Sequence, residues 1–228
     1  MRQIVLDTET TGLAPALGHR VIEVGCLELV NRRLTGHQFH TYLNPERDVD
    51  EGAFKVHGLS TVFLQDKPLF SQVVEKLIDF IDGAELIIHN APFDVGFLNA
   101  ELTRVKGQKS LDAHCDVLDT LVLARQKHPG QRNNLDALCK RYGVNNANRE
   151  LHGALLDAEL LTFVYLAMTG GQIDLFGDDA SEARHVQTKA EALPEQLRSN
   201  SPVYFATDEE LVSHEAFMQW LQKKSTKH

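Results

Sequence analysis

The sequence predicts an α/β fold in which helices flank a β-sheet of mixed direction. The first observation is a hairpin: Arg20 to Val30 and Leu34 to Tyr42 are rich in strand-forming residues and are joined by a short polar link. The second is a later alternation, from about residue 69, of helix-period segments with a short apolar run at Glu85 to Asn90. An antiparallel opening followed by strand and helix alternation is typical of a mixed sheet with helices packed against it.

The strand that opens the chain carries two carboxylates. Ile4 to Leu6 predicts a buried strand, and Asp7 and Glu9 follow two positions apart, so both side chains project from the same face. Neighbouring carboxylates repel each other unless a cation lies between them, which favours a divalent metal held by oxygen ligands. The alternative is an Asp and a Glu at a solvated strand end before a Thr and Gly turn, and this stretch alone does not separate the two.

Helices follow the hairpin. Apolar residues recur every three or four positions from Leu69 to Ile81, which predicts a helix with one buried face. Another begins at Ala91, where Pro92 suits a first turn and the helix dipole favours Asp94, so capping would be a sufficient role for Asp94. The other predicted segments are a loop or short helical turn at Phe54 to Leu59, and helices at Val117 to Gln126, Leu135 to Tyr142 and Leu151 to Gly170.

Two ionisable residues flank the start of the last helix. His152 and Asp157 are five apart and would lie on different faces of one helix, so we expect His152 on the preceding loop, with Gly153 giving it freedom to move. An exposed loop histidine without a role is the alternative. Because neighbouring strand ends converge in a mixed sheet, carboxylates from separate segments can meet in a single cleft.

Composition narrows the class of protein. The 228 residues, 43% of them hydrophobic, suffice for one sizeable core and an appendage. We expect no membrane span and no signal sequence, and we interpret the three cysteines as buried reduced thiols, which predicts a cytoplasmic protein. The net charge of -9 argues against coating nucleic acid through a broad basic surface, but not against an enzyme that grips a short strand at a metal site.

The character of the chain changes after Gly171. We predict a first domain over residues 1–171, a short apolar peptide at 172–177, a charged flexible linker at 178–200 and an amphipathic tail at 201–228. The tail has too few apolar residues for a core of its own, so we expect it to bind a partner. Its candidate contact residues are Phe205, Phe217, Trp220 and Leu221.

Three ordered motifs resemble the DEDD exonuclease superfamily in its histidine-bearing branch, which has a ribonuclease H-like fold. They are Asp7 to Leu13, His89 to Asp94 and His152 to Ala158. Further segments resemble the proofreading subunits of bacterial replicative polymerases, and the resemblance covers nearly the whole chain except the linker. These segments are Val30 to Gly36, Asn134 to Cys139, Ala167 to Gly171 and Phe205 to Glu210.

The resemblance implies a 3′–5′ exodeoxyribonuclease that uses two Mg²⁺ or Mn²⁺ ions and releases nucleoside 5′-monophosphates. It implies that His152 is the general base, since imidazole titrates near neutral pH. The implied metal ligands are Asp7, Glu9, Asp94 and Asp157. The implied substrate contacts are Asp7, Glu9 and Asp157, together with Thr10 and Leu13 at the terminal nucleotide and His57 on the strand.

The resemblance also implies partners. Gln172, Leu175 and Phe176 fit the Q-x-x-L-F pattern that docks on the bacterial sliding clamp, although a helix end packing on its own domain would look similar. The tail would bind the alpha (polymerising) subunit of polymerase III, a small third core subunit is a further candidate partner, and the substrate is a single-stranded 3′ DNA end. The rivals are an exoribonuclease of the same superfamily, against which the tail and peptide argue, and an inactive scaffold, against which the intact acidic set argues.

Overall fold

The computed structural model of the chain describes residues 1–147 and 151–170. In that part the strands are β1 (Arg2–Thr10), β2 (Val21–Val30), β3 (Arg33–Tyr42), β4 (Glu85–Ile88) and β5 (Asp116–Asp119). The helices are α1 (Glu51–His57), α2 (Thr61–Leu64), α3 (Phe70–Ile81), α4 (Ala91–Arg104), α5 (Thr120–Lys127), α6 (Leu135–Tyr142) and α7 (Ala154–Thr169). The predicted peptide, linker and tail, with all their candidate binding residues, lie outside the described residues.

The described strands form one mixed sheet in the order β3-β2-β1-β4-β5. β1 pairs antiparallel with β2 and β2 with β3, whereas β1 and β4, and β4 and β5, run parallel. Asn31 and Arg32 at the tip of the β2–β3 hairpin both have positive φ, the conformation of a tight hairpin turn. The predicted α/β class and mixed direction are therefore confirmed.

The two faces of β1 enter different parts of the core. Ile4 and Leu6 pack in the large apolar cluster with residues of α3 and α4, while Val5 packs in a separate cluster with residues of α7. Side chains alternate along a strand, so Asp7 and Glu9 lie on the same face as Val5. The apolar face that β1 shares with α7 thus ends in two carboxylates.

Gly25 allows α7 to begin very close to the sheet. It pairs with Asp7 across β1 and β2, and a Cβ at this position would lie 2.4 Å from both the Ala154 carbonyl carbon and the Leu155 nitrogen. Only a residue without a side chain tolerates that approach of backbone to backbone. The first turn of α7, which carries Asp157, is consequently held beside the acidic end of β1.

The helix predicted from Val117 was wrong in its first turn. Residues Asp116–Asp119 form β5, an edge strand in parallel register with β4, and the helix begins only at Thr120. The physical reason is a cap: the Asp119 carboxylate accepts a hydrogen bond from the Leu121 amide at 2.8 Å and so fixes the start of α5. A four-residue edge strand is too short to show a period of its own in sequence.

Other predicted elements are confirmed with small changes at their ends. The predicted turn before Gly58 is α1, which Gly58 ends with a φ of 71°. The last helix starts at Ala154, so His152 lies on the preceding loop as expected. All three cysteines are buried and none forms a disulfide with another described residue, and no described helix has the length and apolarity to cross a bilayer.

Candidate active site

The acidic end of β1 opens into a cleft with a volume of about 600 Å³. A register shift between β1 and β2 falls at Glu9 and Thr10, where pairing becomes irregular at the rim of the cleft. The five residues that the acidic and histidine motifs single out all line this cleft: Asp7, Glu9, Asp94, His152 and Asp157. Three separate segments of the sequence therefore meet at one place.

Asp94 projects from the first turn of α4 and is tied to β1. Its Oδ1 accepts hydrogen bonds from the Thr8 hydroxyl at 2.6 Å and from the Thr8 amide at 3.1 Å, so this carboxylate does more than cap its own helix. The residue is buried, and burial raises the pKa of its carboxyl group to about 7 despite the lowering effect of the Thr8 hydrogen bonds. A bound cation would favour the ionised form of this buried group.

His152 and Asp157 form a close pair at the start of α7. The His152 Nδ1 lies 3.2 Å from the Asp157 Oδ2, with the imidazole about half exposed and the carboxylate buried. The His152 amide also donates to the Val56 carbonyl at 3.1 Å, which fixes the loop against α1. If Nδ1 carries the proton that faces Asp157, Nε2 is left as an acceptor for a proton from elsewhere.

The side chains in the cleft fit a divalent metal. Glu9, His152 and Asp157 each offer one ligand atom, and these atoms all lie within 4.8 Å of one another. Asp7 and Asp94 add carboxylates to the same cleft. A set dominated by carboxylate oxygens is the kind that Mg²⁺ and Mn²⁺ prefer.

A second pocket of about 390 Å³ adjoins the cleft, and both are lined by Glu9 and Phe93. Besides Glu9, it is lined by three more of the six predicted substrate contacts, Thr10, Leu13 and His57, together with apolar side chains of α1. Leu13 is 86% exposed and therefore available to a ligand. The Thr10 hydroxyl donates to the Gly12 carbonyl at 2.7 Å, so it shapes the turn that presents Leu13.

His57 is a buried wall of this second pocket. Its Nδ1 accepts a hydrogen bond from the Leu59 amide at 3.0 Å. Burial lowers the pKa of the imidazole, partly offset by the Thr10 backbone, and the neighbouring His152 lowers it further. At neutral pH the side chain is therefore uncharged, which suits contact with a base or sugar better than contact with a phosphate.

Several residues of the cleft were given no role from the sequence. Phe93 and His89 stand inside a motif but were given no role, and Thr8 gave no hint that it would hold Asp94. Arg125 and Asn134 line the far side of the cleft from α5 and the start of α6. In sequence they are an ordinary basic residue and a helix cap, because their position depends on how the helices pack.

The comparisons first define the class of protein. Residues 4–165 match the RNase T family model, described as "Exonuclease". Exonuclease X in complex with 5′ overhanging duplex DNA shares the fold at a TM-score of 0.56 and 21% identity, covering 74% of this chain and 91% of that one. Exonuclease I does so at a TM-score of 0.67 and 17% identity, covering 75% and 41%. The chain thus has the ribonuclease H-like fold of this exonuclease class.

Relatives with much higher identity define the particular family. The DNA polymerase III subunit epsilon of Escherichia coli (strain K12) is 51% identical over 231 residues, which is 98% of this chain and 94% of the relative. That of Pasteurella multocida (strain Pm70) is 50% identical over 236 residues, or 98% and 90%. The chain belongs to the family of DNA polymerase III epsilon subunits.

Proposed function

We propose that this chain removes mispaired nucleotides from the 3′ end of newly made DNA and releases them as nucleoside 5′-monophosphates. As a member of the epsilon family it is a proofreading 3′–5′ exonuclease of DNA polymerase III. The observation that carries the proposal for the site is the meeting of Asp7, Glu9, Asp94, His152 and Asp157 in a single cleft.

Asp7, Glu9, Asp94 and Asp157 would hold two divalent ions, Mg²⁺ or Mn²⁺. Although the His152 ring could also reach an ion beside Glu9 and Asp157, hard divalent cations prefer oxygen ligands, so we keep His152 for proton transfer. When bound, the ions supply Lewis-acid stabilisation of the negative charge that develops at the scissile phosphate. The Thr8 hydrogen bonds would hold the Asp94 carboxylate in the orientation that this site needs.

His152 would act as the general base. A water oxygen forms a bond to phosphorus, its proton moves to the His152 Nε2, and the bond between phosphorus and the 3′ oxygen of the preceding nucleotide breaks. Asp157 stabilises the protonated ring through Nδ1, at the 3.2 Å separation that the pair already has. The products are a nucleoside 5′-monophosphate and a strand one nucleotide shorter.

The terminal nucleotide would occupy the second pocket, against Thr10, Leu13 and His57. Its 5′ phosphate would then reach the carboxylates through the boundary that Glu9 and Phe93 form. A strand end must leave its duplex to enter this pocket, and a mispaired end costs a few kcal/mol less to unpair. This difference would select errors without any contact that reads the mismatch.

The proposed partners follow from membership of the epsilon family and from the sequence of the segments after Gly171. Gln172, Leu175 and Phe176 would bind the sliding clamp, and the tail around Phe217 and Trp220 would bind the alpha subunit of polymerase III. A small third core subunit remains a candidate partner. The chain would work with them at replicating DNA in the bacterial cytoplasm.

The test compares single-stranded DNA and RNA of one sequence, labelled at the 5′ end, with Mg²⁺ present. We expect stepwise shortening of the DNA from its 3′ end with release of nucleoside 5′-monophosphates, and loss of that activity in Asp7→Ala. Asp79→Ala is the matched control, because Asp79 is an exposed acid on α3 outside the cleft. Preference for RNA would favour the exoribonuclease, and inactivity of the unmodified chain on both would favour a scaffold.

A further inference from the structure

Arg125 stands out in the lining of the active-site cleft. The described residues that line it include five carboxylates but a single arginine and no lysine. Arg125 lies four positions after Leu121 on α5, and both line the cleft, so one face of this helix forms part of the cleft wall. The presence of a positively charged side chain in such an acidic cleft needs an explanation.

Among the described residues, the guanidinium of Arg125 is not used to hold the fold together. Within residues 1–147 and 151–170 it makes no hydrogen bond or ion pair, whereas Arg2 binds Glu28 and Arg20 binds Glu101 at 2.6 Å each. Its charge does reach the floor of the cleft. Burial is the main cause of the lowered pKa of His89, and the positive charge of Arg125 contributes to it. An anion brought by the substrate is the natural partner for such a group.

The positions of the cleft and the second pocket indicate which phosphate of the substrate Arg125 would contact. In the proposed function, the terminal nucleotide enters the second pocket, beyond Glu9 and Phe93, and the scissile phosphate lies at the carboxylates. The strand on the 5′ side must then leave along the remainder of the cleft, toward α5. This step rests on the proposed function. A polar pocket that includes Arg104 adjoins the second pocket at Asp50. It would lie beyond the terminal nucleotide, so the strand would not reach it.

We infer that Arg125 binds the phosphate immediately 5′ of the scissile one, and so positions the strand that the enzyme is shortening. Arginine suits this task because its planar donor fork matches phosphate oxygens and its charge does not depend on pH. The contact carries no information about base sequence, as an enzyme that removes any mispaired nucleotide requires.

The test uses two substrates that differ by that one phosphate. The dinucleotide d(TpT) contains only the scissile phosphate, whereas d(TpTpT) also contains the next phosphate on the 5′ side. In Arg125→Ala we expect kcat/KM for d(TpTpT) to fall about tenfold, with kcat/KM for d(TpT) nearly unchanged. Arg125→Lys should recover part of the loss. For longer single strands, the slope of log binding constant against log salt should shrink by about 0.7.

Arg104→Ala is the matched control, because it removes an exposed arginine at the end of α4 and should leave both substrates unaffected. An unchanged ratio of the two kcat/KM values in Arg125→Ala would overturn the inference. So would an equal loss on both substrates, since Arg125 would then act at the scissile phosphate. If the unmodified chain releases no thymidine 5′-monophosphate from either substrate, the proposed function itself fails.

Discussion

At the scale of single residues, the functional side chains of the cleft each depend on one neighbour. Asp94 is buried and would favour its neutral form, yet Thr8 places two hydrogen-bond donors on its Oδ1. His152 is half exposed and could adopt many orientations, yet Asp157 lies at 3.2 Å from its Nδ1. The supporting residues, Thr8 and Asp157, also lie within the three motifs. The motifs therefore contain both the candidate site residues and the residues that hold them in place.

The role of His152 can be measured directly. If His152 is the general base, as we propose, His152→Ala should lower kcat by roughly 10² to 10⁴, because the proton acceptor for the attacking water would be lost. The acidic side of the pH–rate profile should flatten in the same variant, while the Mg²⁺ concentration for half-maximal activity changes little. His37→Ala, at a largely exposed histidine of β3, serves as the control. A variant that retains the full pH profile would show that the proton goes elsewhere.

Glu28 provides a stability prediction away from the cleft. Hydrogen bonds from Arg2 at 2.6 Å and Thr35 at 2.7 Å lower the pKa of this largely buried carboxyl group from its ordinary value of 4.5. A lowered pKa in the folded state adds stability above pH 4.5, and this is lost as the pH falls through the folded-state pKa. Because Arg2 is partly exposed, we expect Glu28→Gln to cost only about 1 kcal/mol at pH 7.

Urea unfolding at a series of pH values checks this. The difference in unfolding free energy between the unmodified chain and Glu28→Gln should shrink steadily below pH 4.5. Glu75→Gln, at an exposed acid on α3, should show no such trend. A gap that stays constant down to pH 3 would contradict the linkage.

At the scale of elements, the start of α7 is the part that the site depends on most. Gly25 of β2 lets the Ala154 and Leu155 backbone approach to within 2.4 Å of where a Cβ would be, so any side chain there must displace the helix. Gly25→Ala should cost about 1 to 3 kcal/mol of stability through this overpacking. It should also reduce activity strongly, since Asp157 and His152 move with the helix.

Gly96→Ala is the matched control on α4, where an added Cβ meets no heavy atom within 4 Å of the described structure. It should raise stability by about 0.4 to 1 kcal/mol and leave activity unchanged, because alanine is the better helix former. Thermal unfolding and exonuclease rates on one oligonucleotide measure both effects. Full activity in Gly25→Ala would show that the helix can shift without disturbing the cleft.

The elements that sequence predicted well are those with a clear apolar period. The segment from Leu69 to Ile81 shows the helical spacing over twelve residues and became α3 almost unchanged. β5 was missed because four residues at the sheet edge show no period, and their extended form depends on pairing with β4. The cap at Asp119 became evident only in the structure, where this residue ends β5 and its carboxylate accepts from the Leu121 amide.

At the scale of the whole molecule, the sequence predicted the acidic site but not its surroundings. Asp7, Glu9, Asp94 and Asp157 were predicted to meet in one cleft because they stand at the ends of strands and the starts of helices, and they do line one cleft. Their role as metal ligands stays a prediction. The place of Arg125 in the cleft was not predicted, because it depends on the packing of α5 against α6 and α7. Contacts that depend on long-range packing leave no local pattern, so they become visible only when the sheet and helices are assembled.

The division of labour along the chain gives the last prediction. We expect residues up to Gly171 to suffice for hydrolysis, because the described residues that line the cleft, from Asp7 to Asp157, include all five candidate site residues. The predicted linker of about 23 residues would span roughly 25 Å, which keeps the exonuclease at about millimolar effective concentration near the primer end of a polymerase bound to the tail. Chain 1–171 should therefore degrade free single strands as fast as the full chain but fail to bind the polymerase subunit.

The reciprocal experiment fuses residues 201–228 to an unrelated carrier, which should bind the polymerase subunit without any exonuclease domain. Replacing Phe217 and Trp220 with Ala in the full chain should abolish that binding, because the sequence predicts a tail with too few apolar residues for a core of its own. Gel filtration of the mixed subunits measures each case. Co-elution of chain 1–171 with the polymerase at the affinity of the full chain would mean that the catalytic domain carries the interface, and the linker would then have no tethering role.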